Sequence, residues 1–434
     1  MKRRSTISTV ASLAAISLLV ACGGDSGGDG DGNGTPEDSG ATGAITVWFS
    51  NNEQEVAWGN DVTEKWNADH PDEQVTAQEI PAGSSSEEAI TAAITAGTAP
   101  CLVYNISPAA APQWERQGGL VDLTTLEGGE DYLTERGGDL IDGYRGQDDG
   151  LFQVPWKSNP VMVMYNKEIF TEAGIDPENP DMDTYEKFTA GAQKIVDSGA
   201  AKAAIWPAPT SEFFQSWFDF YPAYLAQTGG TNFVVDNKAT FNDDNGAAVM
   251  EFYKGLYDKG LSPKEASTDD AMGTGAAAMQ VAGPWAIASY KGNIDYGFMP
   301  VPTKDGVAPE ETYTFADAKN ISMFTSCENT GTAWEFLKFT TSEESDGALL
   351  DATGQMPMRQ DLEGTYSEYF DANPDYVAFA DQASRTVDVP NVPNSVEAWQ
   401  DFRDKYSAAV IFDTTPIPDA LSEAETSVND LISQ

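Results

Sequence analysis

The chain has 434 residues, with 24 Lys and Arg against 69 Asp and Glu, giving a formal net charge of −45. A surface this negative argues against docking on nucleic acid or anionic lipid, because both need Lys and Arg patches. A single histidine and three cysteines leave few ligands for zinc sites of the His/Cys kind.

The first residues read as an export signal. Lys2, Arg3 and Arg4 precede an apolar stretch, Ile7 to Val20, broken only by Ser and Thr. A membrane span needs about 20 apolar residues, and this shorter run suits a secretory signal. It ends in Leu19-Val20-Ala21-Cys22, which resembles a bacterial lipobox. That likeness implies a signal over 1–21 and lipidation of Cys22, whose acyl chains would hold the protein on the bilayer. Residues 22–43 carry Gly, Asp, Ser, Asn and Thr without large apolar groups, a composition that reads as a flexible tether. Its root-mean-square reach would be roughly 25 Å. Asp29, Asp31 and Asn33 imitate the start of a calcium loop, but Gly40 stands where a bidentate Glu belongs.

About 390 residues remain, enough for two lobes. The run 44–49 has strand character and is followed by a polar turn over 50–54. A helical pattern through Val56, Val62 and Trp66 then stops near Pro71. Residues 75–80 read as a second strand. Ser85-x-x-Glu88 is a capping box for a helix through Ile90 and Ile94 to Gly97, and 102–105 is a third strand. A short helix over 113–118 leads to Leu120–Leu123. The same alternation restarts with a strand at 161–165 and a helix capped by Asp183-x-x-Glu186. A helix from Asn242 ends before Gly260, further strand and helix pieces fill 276–288 and 296–301, and helices over 332–340, 396–410 and 418–433 finish the chain. Strands alternating with helices imply α/β lobes built on parallel sheets.

His70, beside Pro71, reads as a surface residue. Neither a G-x-S-x-G elbow nor a nucleotide-binding glycine loop occurs, and no cofactor, metal or catalytic residue is expected. Carboxylates are too abundant for counting to settle whether a glycosidase pair exists. With Cys22 set aside, Cys101 and Cys327 form an even pair, either bridged or held as two buried thiols. Trp156, Trp206, Trp285 and Trp399 each lie beside Pro or polar residues. Indole faces cover the C–H face of a sugar ring while Asp, Glu, Asn and Gln bond its hydroxyls. Trp serves equally well as a core residue.

The segment from Gly275 to Trp285, Gly-Ala-Ala-Ala-Met-Gln-Val-Ala-Gly-Pro-Trp, resembles the signature of extracellular solute-binding proteins of the maltose- and oligosaccharide-binding kind. Three further stretches agree in order: Phe152 to Phe170 with its Tyr-Asn-Lys, Tyr296 to Pro302, and Pro390 to Asn394 ahead of Trp399. The resemblance implies a periplasmic-binding-protein-like fold of two α/β lobes joined by a hinge, 44–158 with 304–350 and 159–303 with 351–434. It sets the strand 320–325 antiparallel beside 102–105, which would bring Cys101 and Cys327 together as a disulfide.

Carried over by position, it makes Trp285 and Trp399 stacking platforms and places Trp156 at the crossover, facing either the cleft or the core. Asn51, Asn52, Glu53 and Asn105 become polar contacts of the first lobe, Asn159 a hinge residue, and Trp206 a contact in a variable region. The implied protein is a monomeric, lipid-anchored lipoprotein on the extracellular face of the bacterial membrane. It would pass a carbohydrate, a disaccharide or oligosaccharide, to the permease subunits of an ABC importer. A polyamine or other small solute in the same fold, and a secreted carbohydrate-active enzyme, are the competing readings.

Overall fold

A computed structural model describes residues 40–434 except 51, 83–84, 147–148, 207–214, 266 and 268. The expected signal, the lipidation at Cys22 and the contact at Asn51 lie outside the described residues. Among the described residues fourteen strands follow in chain order. They begin with β1 (Ile45–Phe49), β2 (Val75–Glu79), β3 (Leu102–Ile106), β4 (Val154–Ser158) and β5 (Met162–Asn166). Next come β6 (Ala203–Ile205), β7 (Val234–Val235), β8 (Lys238–Ala239), β9 (Ala277–Ala282) and β10 (Tyr296–Met299). The last four are β11 (Thr314–Phe315), β12 (Lys319–Met323), β13 (Met356–Pro357) and β14 (Thr386–Val387).

The first sheet has the order β13-β4-β12-β3-β1-β2. Its β1, β2 and β3 are parallel, joined by helices that cover the sheet. Ile-Thr-Val-Trp-Phe in β1 is nearly all buried, as a strand covered on both faces requires. The helix Glu53–Asp69 starts where Asn52 accepts the backbone N–H groups of Gln54 and Glu55, and it buries Trp58, Val62 and Trp66. Ser85 caps the helix Ser86–Ala96 by accepting the N–H of Glu88, and Gly97 closes that helix at φ 66°, in the left-handed region glycine favours. Cys101 and Cys327 are joined by a disulfide, one just before β3 and the other just after β12.

The second sheet has the order β10-β5-β9-β6. Its core is aromatic: Phe220, Tyr221, Phe233 and Phe241 pack with Trp399, Phe402 and Tyr406 of the helix Ser395–Tyr406. Two small pairs, β7 with β8 and β11 with β14, complete the strands.

Two sequence expectations shift in detail. The cap of the helix Tyr185–Ser198 is Thr184, which accepts the N–H of Lys187, while Asp183 pairs with the Lys187 ammonium at 2.9 Å. The competing cation draws the carboxylate away from the cap. The chain also leaves the first sheet later than residue 351, because β13 pairs antiparallel with β4 through Met356–Ser158 and Pro357–Lys157.

Candidate functional site

Both sheets turn the carboxyl ends of their parallel strands toward the crossovers between them. In the first sheet β12 runs antiparallel to β3 and β4, with Asn320 opposite Ile106 and Lys319 opposite Lys157. Ser107, Asn159, Asp317 and Gln355 therefore share one sheet edge with the turns that follow β1 and β2. In the second sheet Met162 of β5 lies opposite Ala282 of β9, so the end of β9 meets the crossover that starts at Asn159. Ligands of open α/β sheets sit at such edges.

The second-sheet side of the site is apolar. After β9 the chain turns through Gly283 and Pro284 into the helix Trp285–Tyr290. The Trp285 indole folds back over Gly283, and a Cβ at 283 would lie 1.9 Å from its ring. Phe218 meets Trp285 edge-on, with centroids 6.1 Å apart and planes at 86°. Together they line a pocket of about 280 Å³ with Gln280, Ser289 and Tyr290. The Tyr290 hydroxyl is held by Asp270 at 2.7 Å. Phe218 also contacts Phe315 at 6.2 Å, which links this corner to Asp317 two residues on.

The first-sheet side is polar and buried. Lys157 pairs with Glu55, and Gln355 donates to the same carboxylate at 2.8 Å. The Asn159 amide donates to Gln355 at 3.3 Å and to the Asp317 carbonyl at 3.5 Å, tying three chain segments together at the crossovers. Lys319 holds Asp317 at 2.6 Å. Burial pushes the Glu55 carboxyl up, but the Lys157 ammonium outweighs it and holds the group below its usual range. Burial lifts Glu87, against the opposing pull of its own and the Ser107 backbone N–H and of Lys319. Asp388 rises to about 6, chiefly through burial, although the Tyr144 hydroxyl donates to it at 2.8 Å.

The structure separates the residues singled out from sequence. Trp285 is partly exposed and faces the pocket. Trp399 has no exposed surface; Phe233 stacks on it at 4.0 Å and Tyr221 approaches at 5.1 Å. Both indole faces serve the core, and the expected stacking role does not survive. Trp156 is equally buried, packed among Trp58 at 5.5 Å and Tyr104 at 5.4 Å, so it faces the first core rather than the cleft. Trp206 is 9% exposed, its ring N–H donated to the Glu265 carbonyl. Asn52 spends its side chain on the helix cap and Glu53 is exposed in that first turn. Asn105 sits at the end of β3 with φ 62° and is half-buried. Sequence reasoning did not single out Phe218, Gln280, Glu55, Glu87, Lys157, Asp317, Lys319, Gln355 or Asp388. Position after a strand's carboxyl end would have flagged Glu87, but nothing local marks Asp388.

Among the described residues no group of His, Cys, Asp and Glu is arranged to hold a metal, and no helix is long and apolar enough to cross a membrane. Two α/β lobes with converging strand ends and an aromatic corner at the junction define a binding protein for small solutes. Residues 50–346 match the model of the bacterial extracellular solute-binding proteins, and the chain belongs to that family. It is 24% identical over 375 residues to the diacetylchitobiose binding protein DasA of Streptomyces coelicolor, a match covering 83% of each chain. It is 25% identical to the sn-glycerol-3-phosphate-binding periplasmic protein UgpB of Rhizobium meliloti, over 54% of this chain and 56% of that one. The crystal structure of the cyclic alpha-maltosyl-1,6-maltose binding protein of Arthrobacter globiformis superposes with a TM-score of 0.75 at 23% identity, covering 90% of this chain and 99% of that one. That superposition shows the two-lobed periplasmic-binding-protein fold.

Proposed function

We propose that the protein is the substrate-binding component of an ABC importer and that its solute is a carbohydrate captured between the lobes. The observation that carries this reading is the Trp285–Phe218 corner at the end of β9, with Gln280 beside it. An open indole face suits the C–H side of a sugar ring, and the amide suits its hydroxyls. DasA and the Arthrobacter protein, both named for saccharides, support the choice of solute. The acidic first-sheet edge disfavours a phosphate ester, the solute named for UgpB, because like charges at a buried site repel strongly.

In this reading residues 44–158 and 304–350, extended to β13, make one lobe, and the remainder to 434 makes the other. The solute stabilises the closed arrangement by touching both lobes, and the closed form is the one the permease subunits receive. The protein acts as a monomer without chemistry of its own, held outside the cell by lipid on Cys22.

A thermal-shift screen of the full chain against mono- and oligosaccharides, polyamines and amino acids tests the proposal. A saturable upward shift with one sugar class, the sugar being recovered unchanged, is expected. A shift with polyamines alone, or conversion of the sugar, would contradict it.

A further inference from the structure

The polar edge of the site carries an imbalance of charge that a neutral sugar leaves in place. Six ionisable side chains meet there. Glu55 pairs with Lys157 and Asp317 pairs with Lys319. Glu87 and Asp388 both lie within electrostatic reach of the Lys319 ammonium. Four carboxyls thus face two ammonium groups. Glu87 is 8% exposed, Asp317 is 6% and Lys157 has no exposed surface, while Asp388 and Lys319 are partly exposed, so water screens the excess only in part.

Acceptor oxygens beside these groups lack partners. Asn159, 1% exposed, directs both donor contacts of its amide to Gln355 and Asp317 while its carbonyl oxygen has no partner. The second oxygen of Glu55 is an acceptor without a donor. The Ser107 hydroxyl, on a residue whose backbone N–H reaches Glu87, is also unpartnered. An edge rich in acceptors and negative charge calls for a ligand that brings donors and positive charge.

We propose that the captured carbohydrate is an amino sugar, whose protonated amine is received at the Glu87, Asp317 and Asp388 carboxylates while a ring of the same molecule stacks on Trp285. This rests on the carbohydrate reading above and narrows it. An ammonium on a sugar ring has three donors and one positive charge, which offsets half of the excess. N-acetylation of the same sugar removes the charge and puts an acetyl group into the buried edge.

The test is calorimetric titration of the full chain with matched sets that differ only at the amine. The sets are glucosamine, N-acetylglucosamine and glucose, with the corresponding α- and β-linked dimers. The amine member should bind at least tenfold tighter than both counterparts at low salt, and its advantage should shrink as salt rises. Glu87→Gln and Asp388→Asn, each checked for native circular dichroism, should each reduce that advantage; two separate variants guard against one failing to fold. Equal or tighter binding of the acetylated or hydroxyl sugars would overturn the amine assignment and leave the carbohydrate reading standing. Absence of binding by every sugar would remove the carbohydrate reading and the amine assignment with it.

Discussion

The Trp285 indole rests on Gly283 so closely that a methyl group at 283 would lie 1.9 Å from the ring. The glycine is what lets the aromatic platform fold back across the end of β9. Gly283→Ala should therefore displace the indole and weaken solute binding at least tenfold, matching Trp285→Ala, a loss of about 1.4 kcal/mol or more. Both variants should keep native circular dichroism. Native affinity in a folded Gly283→Ala protein would show that the ring's position over residue 283 is not needed.

The buried pair at the crossovers gives a second prediction. Lys157 has no exposed surface and Glu55 only 4%, so Lys157→Met leaves a carboxylate enclosed without its cation. Such a loss destabilises by about 3–5 kcal/mol. Replacing Glu55 by Gln in the same chain should recover much of it, because the stranded charge is gone. Urea unfolding of the single and double variants measures both effects, and a single variant within 1 kcal/mol of the parent, on the order of an exposed pair, would refute the coupling.

Asp219 sets a pH dependence whose sign is opposite to ordinary acid unfolding. Burial pushes its carboxyl up to about 7, with Tyr253, Tyr257 and Tyr406 around it. The unfolded chain releases this proton near the usual carboxylate value of about 4. Between those two values the folded state alone holds the proton, so stability falls as pH rises from about 4 to 7 and then levels. The contribution reaches up to about 4 kcal/mol. Melting temperatures at pH 5 and 8 should differ less in Asp219→Asn than in the parent. Equal differences would rule this group out as the source.

The Cys101–Cys327 bridge closes a loop with a sequence separation of 226 and ties the start of β3 to the end of β12. Chain entropy makes such a closure worth up to about 5 kcal/mol. Replacing both cysteines by Ser should lower the unfolding free energy by about 2–5 kcal/mol while leaving solute affinity within twofold. A large loss of affinity at unchanged stability would mean that the bridge shapes the site.

Much of the scaffold was legible because its signals are local. The apolar run of β1, the Ser85-x-x-Glu88 cap and the Gly-Pro-Trp turn after β9 each state their own conformation. The facing of tryptophans was not. Trp285 follows Pro284 and Trp399 precedes Gln400 in sequence, yet one lines a pocket and the other stacks on Phe233. An indole suits either place, and only the partner from a distant segment decides. The polar edge was hidden for the same reason. Glu55, Lys157, Asp317 and Asp388 are far apart along the chain and meet only because β12 threads between β3 and β4.

The central claim is that the lobes close on a carbohydrate against Trp285. Calorimetric titration of the sugar that gives the largest thermal shift, into the parent and into Trp285→Ala, tests it most directly. The account predicts one saturable site in the parent, the sugar recovered intact, and affinity at least tenfold weaker in the folded variant. Undiminished affinity in Trp285→Ala, or failure of every sugar to bind the folded parent, would contradict it.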